Sequence, residues 1–130
     1  MPKPKKTLVL VVDDDPDFRR IVEVILEQAG YRVAVASNGQ EALELFGTLK
    51  PDALLVDINM PVMDGIELCR KVRATEQGRG IPYLLITVRS QIDVLKEGVD
   101  AGATDYVLKP FSPPDLLSRL ARAIERCQNA

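Results

Sequence analysis

The stretch LVLVVDDDPD, residues 8–17, runs from a block of apolar residues directly into a block of aspartates. An uninterrupted apolar block of this length is typical of a strand buried on both faces of a parallel sheet. Asp15 followed by Pro16 suits the N-cap and the first position of a helix, so part of the acidic block has a structural explanation. Asp13 and Asp14 have none. We therefore treat them as candidate functional residues at the end of a buried strand.

Outward from this stretch, short apolar runs alternate five times with longer segments of helical periodicity. The predicted strands are residues 7–12, 32–36, 53–56, 82–87 and 106–108, and the predicted helices are residues 16–29, 39–49, 65–76, 91–101 and 113–128. Strict alternation of strand and helix predicts a single doubly wound α/β domain, with a five-stranded parallel sheet covered by five helices. The run at 32–36 is the least apolar of the long ones, so we place it at an edge of the sheet.

Length and composition favour one domain. The chain has 130 residues, enough to bury a core without disulfides or metals. We expect residues 1–6, which are basic and rich in proline, to form a flexible N-terminal arm, and residues 7–128 to form the domain. We expect no output domain in this chain.

Charge and residue usage exclude several classes of function. The formal net charge is -2, which gives no overall attraction to nucleic acid or to an anionic membrane. The sequence has no histidine, which excludes Ser-His and Cys-His catalysis and most transition-metal sites. Cys69 and Cys127 form no paired motif, as in proteins of a reducing compartment. The first apolar run is too short for a membrane span. We expect a cytoplasmic protein that binds neither nucleic acid nor membranes directly.

Polar residues follow four of the five predicted strands. They are Asp13 and Asp14, then Asp57, Thr87 and Lys109. In an open parallel sheet the carboxyl ends of the strands share one edge, where ligands bind. We therefore expect three carboxylates, a hydroxyl and an ammonium group to meet in one site.

Three carboxylates in one site need a cation or a proton. Two carboxylates about 4 Å apart repel by about 4 kcal/mol at an effective dielectric constant near 20, so we expect Asp13 and Asp14 to be unpaired until a cation binds. Ligands that are all oxygen favour Mg²⁺. Asp57 stands alone at the end of a central strand. Held between a metal ion and Lys109, its carboxylate suits the acceptance of a phosphoryl group.

The motifs LVVDDDPDFRRIV, LLVDINMPVMDG, LLIT and DYVLKPF, in this order and spacing, resemble the receiver domain of bacterial two-component response regulators, chemotaxis regulators included. The resemblance covers nearly the whole chain and implies the strand order 2-1-3-4-5. It implies phosphorelay signalling, in which the chain is a phosphoacceptor and not an enzyme, beyond its own phosphotransfer and autodephosphorylation. The implied donor is a sensor histidine kinase or a histidine phosphotransfer protein.

The resemblance also implies roles for individual residues. Asp57 is the phosphoacceptor, Asp13 and Asp14 form the acidic pocket, and Lys109 pairs with the phosphoryl oxygens. The magnesium ligands are then Asp14, Asp57 and the backbone carbonyl of Asn59.

Activation in this family involves the last strand. By resemblance, Thr87 hydrogen-bonds to the phosphoryl group, Tyr106 changes rotamer, and the Lys109–Pro110 peptide bond is cis. The surface around the last strand and its flanking helices would then change its affinity for a downstream target, which the sequence does not identify, or for a second copy in a homodimer.

The chain departs from the family at Val88, where the residue after the switch hydroxyl is usually small. We hypothesise that this branched side chain slows access of small phosphodonors or of the hydrolytic water. The alternative is that Val88 only packs in the loop. Asn59 and Arg89 flank the same pocket, and we expect them to tune hydrolysis.

Other functions use similar residues. A haloacid-dehalogenase-like phosphatase would use Asp13 as the nucleophile of a DxD motif with Asp15. Against this, Asp17 stands where that motif has threonine or valine, and no acidic pair follows Lys109. A flavodoxin-like flavin carrier would need a phosphate loop after the first strand, where aspartates repel the ligand. A receiver fold that acts without phosphorylation, as an interaction or dimerisation module, is the third alternative.

Overall fold

The computed structural model describes residues 6–128, except for the side chain of Arg89. The strands are β1 (Leu8–Val12), β2 (Arg32–Ala36), β3 (Ala53–Asp57), β4 (Tyr83–Val88) and β5 (Asp105–Lys109). The helices are α1 (Pro16–Gln28), α2 (Gly39–Leu49), α3 (Gly65–Arg73), α4 (Leu95–Ala101) and α5 (Pro113–Gln128), with a 3-10 helix at Arg89–Val94. The N-terminal arm expected at residues 1–6 lies outside the described residues, apart from Lys6.

All strand pairs are parallel and the sheet order is β2-β1-β3-β4-β5. Both the predicted α/β class and the strand order implied by the resemblance are confirmed. The edge position of β2 is confirmed as well. The registers set Val12 opposite Val56 and Asp57 opposite Ile86, so the carboxyl ends of the three central strands lie at one edge.

The core forms two layers, one on each face of the sheet. Leu54 belongs to the layer that contains Phe46 of α2 and Leu68 of α3. Its neighbour Leu55 belongs to the layer with Leu26 of α1. Adjacent strand residues point to opposite faces, so a strand covered by helices on both faces must be apolar throughout. This explains the continuous apolar runs of the central strands.

Local capping begins the helices beside the site. The Asp15 carboxylate accepts the N–H groups of Asp17 and Phe18 at 3.0 and 3.4 Å, and Pro16 occupies the first turn of α1. In the same way, Asp64 caps α3. The Asp15 cap was predicted from sequence. Both caps orient the starts of these helices at the edge where the strands end.

Two helix boundaries differ from the prediction by more than one residue. A helix was predicted over residues 91–101, but the chain forms the 3-10 helix first and α4 begins only at Leu95. Gln91 has non-helical dihedral angles (φ -114°, ψ 15°), and neither helix start has a side-chain cap that could have marked the break. The other helix, α3, ends at Arg73 rather than at residue 76, because the Thr75 hydroxyl donates to the Val72 carbonyl at 2.6 Å and accepts the Gly78 N–H at 3.0 Å. Side-chain bonds of this kind compete with the helical ladder.

None of the helices within residues 6–128 is long and apolar enough to cross a membrane.

Candidate functional site

Three carboxylates meet where β1 and β3 end. Asp13 is fully buried, Asp57 is 8% exposed, and Asp14 is exposed. One oxygen from each carboxylate lies within 4.8 Å of the others. The three carboxylates therefore meet at the strand ends as predicted. Asp13 and Asp57 are buried there, and Asp14 faces solvent.

Asp13 is bonded through only one of its carboxylate oxygens. Its Oδ1 accepts the Asp15 N–H at 2.9 Å, whereas its buried Oδ2 has no hydrogen-bond partner among the described residues. Lys109 Nζ lies 3.7 Å from that Oδ2. We expected Asp13 to be unpaired until a cation binds. This expectation is wrong, because Oδ1 accepts a hydrogen bond and Oδ2 has an ionic contact with Lys109. The Oδ2 atom still lacks a hydrogen bond, a costly state for a buried oxygen.

Asp57 receives one hydrogen bond and one ionic contact. The backbone N–H of Asn59 donates to its Oδ1 at 3.2 Å, and Lys109 Nζ lies 3.7 Å from its Oδ2. Burial, followed by the nearby charge of Asp13, raises the pKa of Asp57 to about 6, against the lowering effect of Lys109. Burial also raises the pKa of Asp13. The site holds more negative charge than its single ammonium group balances.

Lys109 is held by an aromatic residue that the sequence analysis missed. Its Nζ lies 3.9 Å from the centroid of the Phe18 ring, a cation-π contact. Phe18 in turn meets Phe111 edge to face, with ring centroids 5.7 Å apart. The Lys109–Pro110 bond is cis, as the resemblance implied. Both rings lie within motifs that carried the resemblance, but nothing in their spacing indicated the contact with the ammonium group.

Thr87 and Val88 end β4 at the same edge of the sheet. The Thr87 side chain is 1% exposed and its hydroxyl donates to the Val88 carbonyl at 3.3 Å. Val88 is half-buried and stands opposite Lys109 in the register. The side chain of Arg89, which we expected to tune hydrolysis, lies outside the described part of the structure.

A pair of amides spans two loops beside the acidic site. The side chains of Asn59 and Gln91 exchange two hydrogen bonds, each 2.7 Å long. Asn59 follows β3 and Gln91 lies in the 3-10 helix after β4. Sequence analysis singled out Asn59 but missed Gln91, which lies 32 residues away and in a segment expected to be helical.

Tyr106 lies in β5 and is not one of the residues that gather around the carboxylates. It is half-buried and borders a cavity of about 140 Å³ together with Leu85 and Leu95. The guanidinium of Arg119 lies 5.3 Å from the centroid of its ring and donates to its backbone carbonyl at 3.3 Å. Arg119 is also ion-paired with Asp105 at 3.6 Å. Tyr106 is therefore positioned by contacts with Arg119 of α5, and these contacts lie away from the acidic site.

The acidic cluster suits a hard divalent cation. Its possible ligands are carboxylate oxygens, and the buried Oδ2 of Asp13 lacks a hydrogen bond. Mg²⁺ prefers oxygen ligands and keeps several of its water ligands. Because Asp14 is exposed, the site is open to solvent on that side and leaves room for these waters.

Residues 9–121 match the family described as the response regulator receiver domain. The chain belongs to this family. Response regulator MprA of Mycolicibacterium vanbaalenii is 42% identical to it over 118 residues, which are 91% of this chain and 50% of that protein. The receiver domain thus spans about half the length of the curated relatives it matches.

Solved structures agree with this assignment. The chemotaxis protein CheY4 of Vibrio cholerae superposes with a TM-score of 0.88 at 38% identity, over 92% of this chain and 99% of that one. The receiver domain of the sensor histidine kinase PA1611 from Pseudomonas aeruginosa has a TM-score of 0.85 at 32% identity, over 93% and 99% of the two chains. That structure has a magnesium ion coordinated in its active site cleft. Family membership supports the receiver interpretation over a phosphatase that would use Asp13 as its nucleophile.

Proposed function

We propose that this receiver domain is a phosphoacceptor switch in which Asp57 takes a phosphoryl group from a phosphohistidine. The observation that carries the proposal is the position of Lys109, whose Nζ lies 3.7 Å from Oδ2 of both Asp57 and Asp13. A carboxylate beside a fixed ammonium group and further acids is suited to covalent phosphoryl acceptance.

The transfer itself needs few groups from this chain. A carboxylate oxygen of Asp57 attacks the phosphorus atom, and the P–N bond to the donor imidazole breaks. The electron pair of that bond stays on the donor nitrogen, and a new O–P bond makes the aspartyl phosphate. Since the pKa of Asp57 is about 6, the carboxylate is mostly ionised at neutral pH and ready to attack. Lys109 balances part of the charge on the transferred oxygens.

A divalent cation completes the charge balance. Asp14, Asp57 and the backbone carbonyl of Asn59 would hold Mg²⁺, with Asp13 as the neighbouring acid. When bound, the ion supplies positive charge that stabilises the oxygens of the transferring phosphoryl group. Support comes from the carboxylate oxygens within 4.8 Å of one another and from the Asp13 Oδ2 that lacks a hydrogen bond.

The response to phosphorylation would begin at Thr87. Among the described groups its hydroxyl donates only to the adjacent Val88 carbonyl, a weak bond at 3.3 Å that a phosphoryl oxygen can replace. Movement of Thr87 would open space for Tyr106, which now borders the cavity beside Leu85. The surface of α4, β5 and α5 would then change its affinity for a partner.

The partners follow from this chemistry. The donor is a sensor histidine kinase or a histidine phosphotransfer protein in the cytoplasm. The recipient of the signal is an output domain or a separate target, or a second copy of this chain that pairs through β5 and its flanking helices. The chain itself acts as a switch rather than an enzyme with an external substrate.

The decisive experiment treats the protein with acetyl phosphate, and separately with beryllofluoride, in the presence of Mg²⁺. We expect the mass of one added phosphoryl group in the first case and altered amide NMR signals near Thr87 and Tyr106 in the second. Asp57→Asn should abolish both. Asp100→Asn removes an exposed carboxylate from α4 and is the matched control, which should behave as wild type. If neither reagent acts on the wild type, the domain works as a module that does not require phosphorylation.

A further inference from the structure

A cleft lined by three arginines lies at the opposite end of the sheet from Asp57. It opens where β4 and β5 begin and has a volume of about 400 Å³. Its lining residues are Arg73, Arg79, Gly80, Thr104, Arg126 and Cys127. Among residues 6–128, the lining thus includes three arginines and no aspartate or glutamate.

Arg73 is fixed by neutral groups. Its Nε donates to the Gly102 carbonyl at 2.9 Å, and its Nη1 donates to the carbonyls of Gly78 and Ile81 at 2.6 and 2.7 Å. Its Nη2 donates to the Thr104 hydroxyl at 3.3 Å. These bonds orient the guanidinium group and join two loops, but none of the acceptors is charged. The positive charge of this half-buried group is therefore held in place without being neutralised.

The other two arginines of the cleft are exposed and have no acidic partner in the described part of the chain. Arg126 Nη1 makes a long bond of 3.5 Å to the Thr104 carbonyl, again a neutral acceptor. Within residues 6–128, no carboxylate lies within 4.0 Å of any of the three guanidinium groups. By contrast, Arg119 on the same helix as Arg126 is paired with two aspartates. The cleft therefore gathers arginines that the rest of the domain leaves without counter-ions.

This arrangement favours anions even though the chain as a whole is slightly acidic. Like charges around one cleft repel each other, and an anion placed between them removes that repulsion. Guanidinium groups match phosphoryl oxygens in shape and donate pairs of hydrogen bonds to them. The volume lies within the range of small-ligand sites, roughly 300–1,000 Å³, and exceeds what a single phosphate ion needs.

We propose that this cleft binds a small polyanion that carries at least two linked phosphoryl groups. Arg79 and Arg126 would each hold one phosphoryl group, and the fixed charge of Arg73 would attract both. Since β4 and β5 run from this cleft to Thr87 and Lys109, the ligand would bind at the opposite end of the strands that carry the switch residues. Binding here uses none of the carboxylates of the phosphoacceptor site.

The test is calorimetric titration of the metal-free domain with pyrophosphate in EDTA at low ionic strength. Without a divalent cation the acidic site repels anions, so the heat released on titration measures binding of pyrophosphate to the cleft. We expect saturable binding of one pyrophosphate, at least tenfold tighter than orthophosphate. The double variant Arg79→Gln/Arg126→Gln should weaken it at least tenfold. Arg122→Gln removes an exposed arginine from α5 that does not line the cleft, and it should leave the affinity within twofold.

Three results would overturn the proposal. Heat that does not saturate would show that no site exists. Equal losses in the double variant and in Arg122→Gln would mean that pyrophosphate responds only to overall surface charge. Equal affinities for pyrophosphate and orthophosphate would contradict recognition of linked phosphoryl groups. Thermal unfolding of the double variant checks that it is folded, and Asp57→Asn should bind pyrophosphate like the wild type. The outcome is therefore independent of phosphoacceptance.

Discussion

The side-chain amides of Asn59 and Gln91 exchange two hydrogen bonds, one in each direction, and so tie the loop after β3 to the 3-10 helix after β4. The same Asn59 donates its backbone N–H to Asp57. Movement of the segment that follows Thr87 is thereby linked to the loop that follows Asp57, the proposed phosphoacceptor.

Breaking this amide pair should shorten the lifetime of the aspartyl phosphate. Each exposed hydrogen bond contributes on the order of 0.5 kcal/mol, so Gln91→Ala should speed dephosphorylation about fivefold by freeing the loop over Asp57. The measurement is loss of the phosphorylated mass with time. The exchange Asn59→Gln/Gln91→Asn keeps the combined reach of the two side chains and should restore most of the lifetime. An unchanged rate in Gln91→Ala would show that the pair has no control over hydrolysis.

Val88→Ala should speed phosphorylation by acetyl phosphate and autodephosphorylation. Val88 is half-buried and lies opposite Lys109 in the register of β4 and β5. The expected increase follows from the hypothesis that its branched side chain restricts access to the pocket. We expect about a threefold change, the effect of roughly 0.7 kcal/mol in the barrier. Val99→Ala, at a valine that is 65% exposed on α4, is the control for loss of the same atoms. If both rates stay at their wild-type values, Val88 serves only in packing.

Without metal, Asp57→Asn should stabilise the fold at pH 7 and not at pH 4. The folded-state pKa of about 6 exceeds the ordinary value of 3.8, so the folded state binds the proton more tightly than the unfolded state. Stability therefore falls as the pH rises between these values, by up to about 3 kcal/mol above pH 6. Asp57→Asn has no carboxylate at this position, so its stability does not decrease in this way as the pH rises. Urea denaturation of both proteins in EDTA from pH 4 to 7.5 measures it, with Asp100→Asn as the control. A difference that does not vary with pH would contradict the assignment of the loss to Asp57.

Asp14→Asn should weaken Mg²⁺ binding at least tenfold and leave the fold as stable as before. Asp14 is exposed, so its charge contributes little to folding, whereas its oxygen faces the other two carboxylates. Asp15→Asn is a close control because asparagine caps a helix as well as aspartate does, and it should change affinity no more than threefold. Titration calorimetry gives the affinities. Unfolding of Asp14→Asn, or equal affinity losses in the two variants, would count against a direct ligand role.

Gly65→Ala should destabilise the domain by about 2 kcal/mol or more and disturb phosphorylation. A Cβ atom at Gly65 would lie 2.5 Å from the Asp57 carbonyl oxygen, so the start of α3 or the end of β3 must shift. The matched change Gly47→Ala is in the last turn of α2, where the new methyl group meets nothing within 4 Å. It should stabilise the fold by about 0.5–1 kcal/mol through helix propensity. Urea denaturation of the two variants measures both effects. If Gly65→Ala is as stable as the wild type, the end of β3 can shift at little cost in free energy.

Much of the fold could be predicted because its signals are local. The apolar run before Asp13 indicates a buried strand, and Asp15 with Pro16 marks the start of α1. The order of polar strand ends also indicated that Asp57 and Lys109 lie at one edge. Strand β5 was predicted two residues too short because Asp105 and Lys109 at its ends are polar and do not extend the apolar pattern.

The sequence by itself determined the alternation of strands and helices, their caps, and the edge of the sheet where the acids gather, because periodicity and capping act within a few residues. Only the tertiary structure decided which Asp13 oxygen lacks a hydrogen bond, that Phe18 lies against Lys109, and that Gln91 pairs with Asn59. Those contacts join residues far apart in the chain. They depend on strand register and on side-chain direction, which no short stretch of sequence encodes.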